Sequence, residues 1–286
     1  MIQIGVTGHR GFIGRAVENA IANAQAALIP AHISYPETSF VPELEFSEPV
    51  SCLLHLAAKT GRQASGSSPA DFYVLNMSLT VAALEHCRKT GAHLVFPSTY
   101  VYGYAREPGK VVSEMAESSA NNPYTQSKIV EETIIKAYAR DFGVNAWILR
   151  IFNVYGPGQN NNYIVPELIE KVRSGVCKIR SGSTSRDFVY SSDVADAILL
   201  ASVTPPLGCE VVNIGSGQVF TLMEVAETID AATSSGAELL DERVKSSNDY
   251  PVYAADISRA RNLLGWGPKI SFRDGIAQTC KPYLLG

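Results

Sequence analysis

The apolar run Ile2–Thr7 leads without a break into Gly8-His-Arg-Gly11-Phe-Ile-Gly14, and this junction constrains the fold more than any other stretch of the chain. The run reads as a strand, and a helical pattern follows it over residues 12–23. The three glycines therefore stand three residues apart where a strand turns into a helix amino terminus. Tight turning there needs backbone angles that glycine adopts freely, and a Cβ would keep a pyrophosphate from the amides and the positive helix end. A strand ending in this way is expected to open a parallel sheet that binds a dinucleotide.

The rest of the chain alternates short apolar runs with longer amphipathic stretches, as β/α units do. Strands are expected at 2–7, 26–29, 52–56, 93–97, 146–150 and 211–214. Helices are expected at 12–23, 70–90, 124–142 and 192–202, with others at 165–174, 222–233 and 259–264. The fold class is thus α/β, with a doubly wound parallel sheet. After Arg150 the pattern loosens into loops rich in Gly, Pro and Asn, yet 193–214 still reads as a helix and a strand of the main sheet. The expected division is a dinucleotide-binding unit at 1–154, to which 191–214 returns, and a smaller, discontinuous C-terminal substrate-binding lobe at 155–190 and 215–286.

Composition narrows the class further. The 286 residues are 46% hydrophobic and 18% charged, which excludes a disordered chain. A net charge of -4 with no basic block argues against nucleic acid as a partner. No apolar run reaches the ~20 residues of a membrane helix, and the first residues do not read as a signal peptide, so no membrane association and a cytoplasmic location are expected. Cys52, Cys87, Cys177, Cys209 and Cys280 are odd in number and scattered, so neither disulfides nor a metal site is expected.

An acidic residue usually ends the second strand of such a sheet and binds the adenosine ribose, but Ala26-Ala-Leu-Ile-Pro-Ala-His32 contains no carboxylate. With Arg10 on the glycine loop and His32 nearby, the expected cofactor is NADP(H), with NAD as the other possibility. Glu43 is placed near adenine by position alone. Tyr124 and Lys128 stand four apart and share one face of a helix. An ammonium there favours the phenolate and is expected to lower the tyrosine pKa, making a proton donor and acceptor. Upstream, Phe96-Pro-Ser98-Thr-Tyr-Val-Tyr-Gly103 places Ser98 and Thr99 at the carboxyl edge of the sheet, where ligands of such folds bind. Ser98 is expected to bond a substrate oxygen while Tyr124 moves the proton.

On these residues the chain resembles the extended short-chain dehydrogenase/reductase family, in its nucleotide-sugar epimerase/dehydratase branch. The likeness includes the glycine loop, His55-Leu-Ala-Ala58, Asn76, Ser98, Val101-Tyr-Gly103, Tyr124 and Lys128. It continues through Leu149-Arg-Ile-Phe-Asn-Val-Tyr-Gly-Pro157, Arg186-Asp-Phe-Val-Tyr190, Asp193-Val-Ala-Asp196, Asn213-Ile-Gly-Ser-Gly217 and Leu264-Gly-Trp266. The resemblance implies a Rossmann-type fold and the catalytic set Ser98, Tyr124 and Lys128. It implies a cofactor site of Gly8, Arg10, Gly11, Phe12, Ile13, Gly14, Leu56, Ala57, Ala58, Asn76 and Phe152, with Tyr124 and Lys128. Ser98, Thr99, Asn153 and Arg186 would meet a nucleotide-diphosphate sugar, the last two through its diphosphate. Related enzymes pair the helices at 70–90 and 124–142 across a dimer axis, so a homodimer is expected.

Thr99 and Tyr100 stand where the 4,6-dehydratases of the branch carry Asp-Glu, which disfavours dehydration. Where many UDP-sugar enzymes place an arginine this chain has Ser246, near Arg243 and Lys245, so the base is left open. The leading expectation is reduction of a 4-keto sugar nucleotide, supported by a Gly8-His-Arg-Gly11 loop that resembles that of GDP-fucose synthase. Its rival is 4-epimerisation with tightly held NAD, and a non-catalytic cofactor-binding sensor is the third reading.

Overall fold

The computed structural model describes residues 2–21, 26–36, 39, 41–60, 68–103, 105, 107, 109–120, 122–244 and 252–284. Six parallel strands form the central sheet: β1 (Ile2–Thr7), β2 (Ala26–Pro30), β3 (Cys52–His55), β4 (His93–Thr99), β5 (Ala146–Ile151) and β6 (Cys209–Ile214). Their spatial order is β6-β5-β4-β3-β1-β2. The chain leaves β1 for β2 on one side and returns to lay β3 on the other. The carboxyl edge between β1 and β3 is therefore the point where winding reverses, and loops there part to leave a crevice.

Each inner strand is buried on both faces, as a parallel sheet requires. One face packs Val95, Leu149 and Val212 beneath helices α1 (Phe12–Ile21) and α5 (Ser191–Val203). The other packs Leu53, Phe96 and Ile148 beneath α2 (Pro69–Thr90) and α3 (Pro123–Phe142). Local signals account for the last two helices. Ser68 and Asn122 cap them by accepting from the amides of Ala70 and Thr125, Pro69 and Pro123 open them, and Gly91 and Gly143 end them at φ 79° and 70°.

A third apolar core lies apart from the sheet. It joins α4 (Ile164–Arg173), α6 (Leu222–Thr233) and α8 (Phe272–Leu284) to Tyr155, Cys177, Phe188 and Tyr190. Above it runs a three-stranded sheet of Asn153–Tyr155, Ser185–Tyr190 and Val219–Thr221. The short helix α7 (Ser258–Leu264) packs back toward β6. The helix α8 and a hairpin of His32–Ser34 with Glu43–Glu45 were not expected from sequence. Residues 22 and 23, expected in the first helix, lie outside the described residues, as do Lys245 and Ser246. Among the described helices none is long and apolar enough to cross a membrane.

Candidate active site

The glycine loop sits on the crevice. Gly8, at φ 71°, lies so close to the end of β3 that a Cβ would come within 2.6 Å of the Ala57 nitrogen. Gly14 is packed as tightly, with a Cβ falling 2.1 Å from the His9 carbonyl oxygen. The Gly11 amide donates to the Gly8 carbonyl, and the Arg15 amide to that of Gly11, which starts α1. Phe12 and Ile13 are half-buried, and Arg10 is exposed at the turn. This cradle, which side chains would fill, suits a dinucleotide pyrophosphate at the helix amino end.

Opposite the loop, Leu56, Ala57 and Ala58 are half-buried at the end of β3. They are held there by Thr7, whose hydroxyl accepts from the Ala57 amide and lies 2.8 Å from His55 Nδ1. Asn76 is fully buried. It donates to the Lys59 carbonyl and the Ser127 hydroxyl and accepts from the Lys59 amide, so it shapes this wall through its neighbours. Phe152 is buried 5.6 Å from the Tyr100 ring.

The end of β2 departs from expectation. The segment itself lacks a carboxylate, but the hairpin folds Glu45 back to 4.0 Å from His32, with both side chains exposed. Glu43, two register positions on, lines a cavity of about 320 Å³ against α2 with His86 and Lys89.

Tyr124 and Lys128 occupy successive turns of α3, and Lys128 is buried with its ammonium 4.3 Å above the Phe96 ring. Continuing down the helix, Glu131 and Glu132 are also buried. Glu132 accepts the Ser98 hydroxyl at 2.7 Å and a bidentate bond from the Arg150 guanidinium, its shortest contact 2.7 Å. Arg150 faces Ser98 in register on β5 and also donates to Tyr102, which donates in turn to Asn213. Beneath the reactive residues there is thus a connected polar network with an ion pair at its centre.

One expectation is overturned. Lys128 does not bring the Tyr124 hydroxyl below its ordinary range: burial pushes it well above, and the nearby Glu131 carboxylate adds to the rise. Burial lowers the Lys128 ammonium while Glu131 supports it. His55 is pushed down to about 3 by burial and, secondarily, by Lys128, so it is a neutral wall of the site.

Thr99 ends β4 half-exposed. Asn153 and Arg186 come from neighbouring parallel strands, Asn153 opposite Phe188, which places both on one face of the small sheet. Asn153 donates to the Asp187 carbonyl and Arg186 to that of Ser185. The Asp187 carboxylate is buried and takes the amides of Ser216, Gly217 and Ala255 together with the Ser216 hydroxyl, tying three segments behind Asn153. Sequence reasoning missed Glu131, Glu132 and Arg150; the continuation of the Tyr124–Lys128 spacing to Glu132, four residues on, is the signal that could have found them. Among the described residues no group of three or more His, Cys, Asp or Glu side chains could hold a metal, and all five cysteines are free.

The model of the NAD dependent epimerase/dehydratase family matches residues 4–215, which takes in all of the central sheet but the first two residues of β1. The chain belongs to this family. Within it, the chain is 33% identical over 237 residues to the uncharacterized UDP-glucose epimerase YtcB of Bacillus subtilis, with 80% of this chain and 73% of that protein covered. It is 28% identical to the probable GDP-L-fucose synthase 1 of Oryza sativa subsp. japonica, covering 98% of this chain and 91% of the relative. Among solved structures it is similar to the UDP-glucose 4-epimerase of Thermotoga maritima with UDP-glucose. That likeness has a TM-score of 0.83, 25% identity, and coverage of 99% and 98% of the two chains.

Proposed function

We propose that this family member reduces the 4-keto group of a nucleotide-diphosphate hexose with NADP(H). The observation that carries the reading is the setting of Tyr124: half-buried one turn before the buried Lys128, with its hydroxyl raised above the ordinary tyrosine range by desolvation and by Glu131, it rests as a phenol. A phenol is ready to give a proton, as reduction of a ketone requires, whereas oxidation of an alcohol needs a base at that place. The glycine loop would hold the cofactor's pyrophosphate, and the reduced cofactor, when bound, would supply the hydride. Asn153 and Arg186 anchor the sugar diphosphate, the guanidinium by forked bonds. Ser98 fixes the C4 oxygen, and Tyr124 passes its proton to that oxygen as negative charge develops there. In the free chain the Ser98 hydroxyl gives its one proton to Glu132, itself fixed by Arg150, so it turns from that carboxylate to the C4 oxygen when the sugar binds.

Arg10, exposed on the loop, supports the 2′-phosphate, and Glu45 beside His32 is the group that would oppose it. We place the substrate lobe at 155–190 and 215–286, around the core of α4, α6 and α8. The exposed Val74 and Leu75 on α2, 70% and 37% accessible, support pairing of two chains through α2 and α3. Light scattering at micromolar concentration should give the dimer mass.

The names of two similar proteins favour a second reading, 4-epimerisation. An epimerase regenerates its cofactor every cycle and gains by holding NAD tightly, while a reductase must release its oxidised cofactor. Mass spectrometry of the denatured, freshly purified protein separates the two. Substoichiometric, exchangeable cofactor is expected; stoichiometric NAD would replace the reductase reading by the epimerase one.

A further inference from the structure

Glu131 and Glu132 are adjacent on α3, and a helix turns about 100° per residue, so the two carboxylates serve different neighbours. Glu132 reaches the sheet at Ser98 and Arg150. Glu131 reaches α2, where the buried Thr80 hydroxyl donates to its Oε1 at 2.7 Å. Its Oε2 is buried and takes no hydrogen bond from any described residue. The nearest cation is the Lys128 ammonium, 3.5 Å away, and both side chains are at most 4% exposed.

A buried ammonium is costly unless a negative group faces it, and a lysine in that position gives up its proton instead. The surroundings of Lys128 offer little else. From α3 itself come Tyr124 and Glu132, the latter committed to Arg150 of β5; β3 contributes the neutral His55. Tyr100 and Tyr163 approach Tyr124 from the end of β4 and from the residue before α4. α2 contributes the uncharged Thr80 and Asn76.

We propose that Glu131 is a positioning residue for the Tyr124–Lys128 pair. Held by Thr80, it keeps Lys128 an ammonium at neutral pH and cancels that charge at Tyr124, which stays a phenol until the sugar arrives. The inference rests on the reading of Tyr124 and Lys128 as the reactive pair. It assigns the direction of proton transfer to a residue outside the motif that announces the pair.

Lysine labelled with ¹³C at Cε reports the titration directly, with Lys128→Met assigning the resonance. In the native chain Lys128 should be an ammonium at pH 7, and a neutral amine there overturns the proposal without any variant. In Glu131→Gln the midpoint should fall by about one unit or more, a tenfold loss of proton affinity. Glu131→Asp should restore most of it. If Glu131→Gln does not fold, Glu131→Met fills similar volume without polar atoms and serves the same comparison. A folded neutral variant whose Lys128 keeps the native midpoint overturns the proposal. The readout needs no substrate, so its failure leaves the reductase reading standing, and failure of turnover leaves this readout intact.

Discussion

Tyr124→Phe removes one oxygen and keeps the ring. Turnover is expected to fall about a hundred- to ten-thousandfold, the usual contribution of a general acid, while NADPH affinity by fluorescence titration changes little. A variant as active as the native protein would remove Tyr124 from the chemistry. At the other end of the site, Arg10→Ala should erase a preference for NADPH over NADH, and Glu45→Gln should sharpen it, both read as ratios of dissociation constants. Unchanged ratios would show that neither group meets the 2′-position. Some of these residues were legible in sequence, because Tyr124 and Lys128 share a helix face by spacing and Gly8, Gly11 and Gly14 follow a strand. Glu131 and Glu132 were not, since adjacent carboxylates in an amphipathic helix usually face water. Only the arrival of Thr80, Ser98 and Arg150 from other elements explains their burial.

At the scale of elements, α3 carries the reactive residues and its first turn is held by the Asn122 cap. Asn122→Ala should cost about 1 kcal/mol in urea unfolding and should lower kcat, because Tyr124 lies in the turn that frays. Loss of stability without loss of rate would show that the turn is held elsewhere. Further down, Arg150→Met leaves the buried Glu132 carboxylate with the Ser98 hydroxyl and only the exposed Lys136 ammonium, 3.7 Å away, in place of its buried partner, at an expected cost of about 3 kcal/mol. The double variant Glu132→Leu with Arg150→Met should be less damaging, since no charge is then stranded. The cap residues and flanking prolines and glycines made α2 and α3 readable. α8 was hidden because Pro282 and Gly275 argue against a helix. Gly275 is there for closeness, since a Cβ would sit 2.1 Å from the Tyr155 hydroxyl. The 32–45 hairpin was hidden because its strands are three residues each, too short for a period to show. That hairpin is also what returned a carboxylate to the end of β2.

For the whole molecule, buried imidazoles set the acid limit. His55 has a folded value of about 3 against 6.5 unfolded, with burial the main cause. The unfolded chain therefore takes up a proton that the folded one refuses. Stability is present above pH ~6.5 and is lost as pH falls toward ~3, at about 1.4 kcal/mol per unit for one such group. His86 and His93, also lowered by burial, act in the same direction. Urea unfolding should show about 2 to 3 kcal/mol lost from His55 between pH 6.5 and 4.5, and His55→Asn should flatten that slope. An unchanged slope would place the acid sensitivity in other groups. The six-stranded sheet was readable at this scale because every strand pairs in parallel and is apolar on both faces. The core of α4, α6 and α8 draws on segments far apart in sequence, which periodicity alone does not connect.

The reduction itself is the most direct test. The purified chain is mixed with NADPH and a freshly prepared 4-keto-6-deoxy nucleotide sugar, and the reduced-nicotinamide absorbance is followed. The reading of Tyr124 as a phenol acid predicts loss of that absorbance, one cofactor oxidised per 4-hydroxy sugar formed, and a rate about a hundredfold or more lower in Tyr124→Phe. Interconversion of UDP-glucose with its C4 epimer without added cofactor, and no oxidation of NADPH by any keto sugar of varied base, would contradict it.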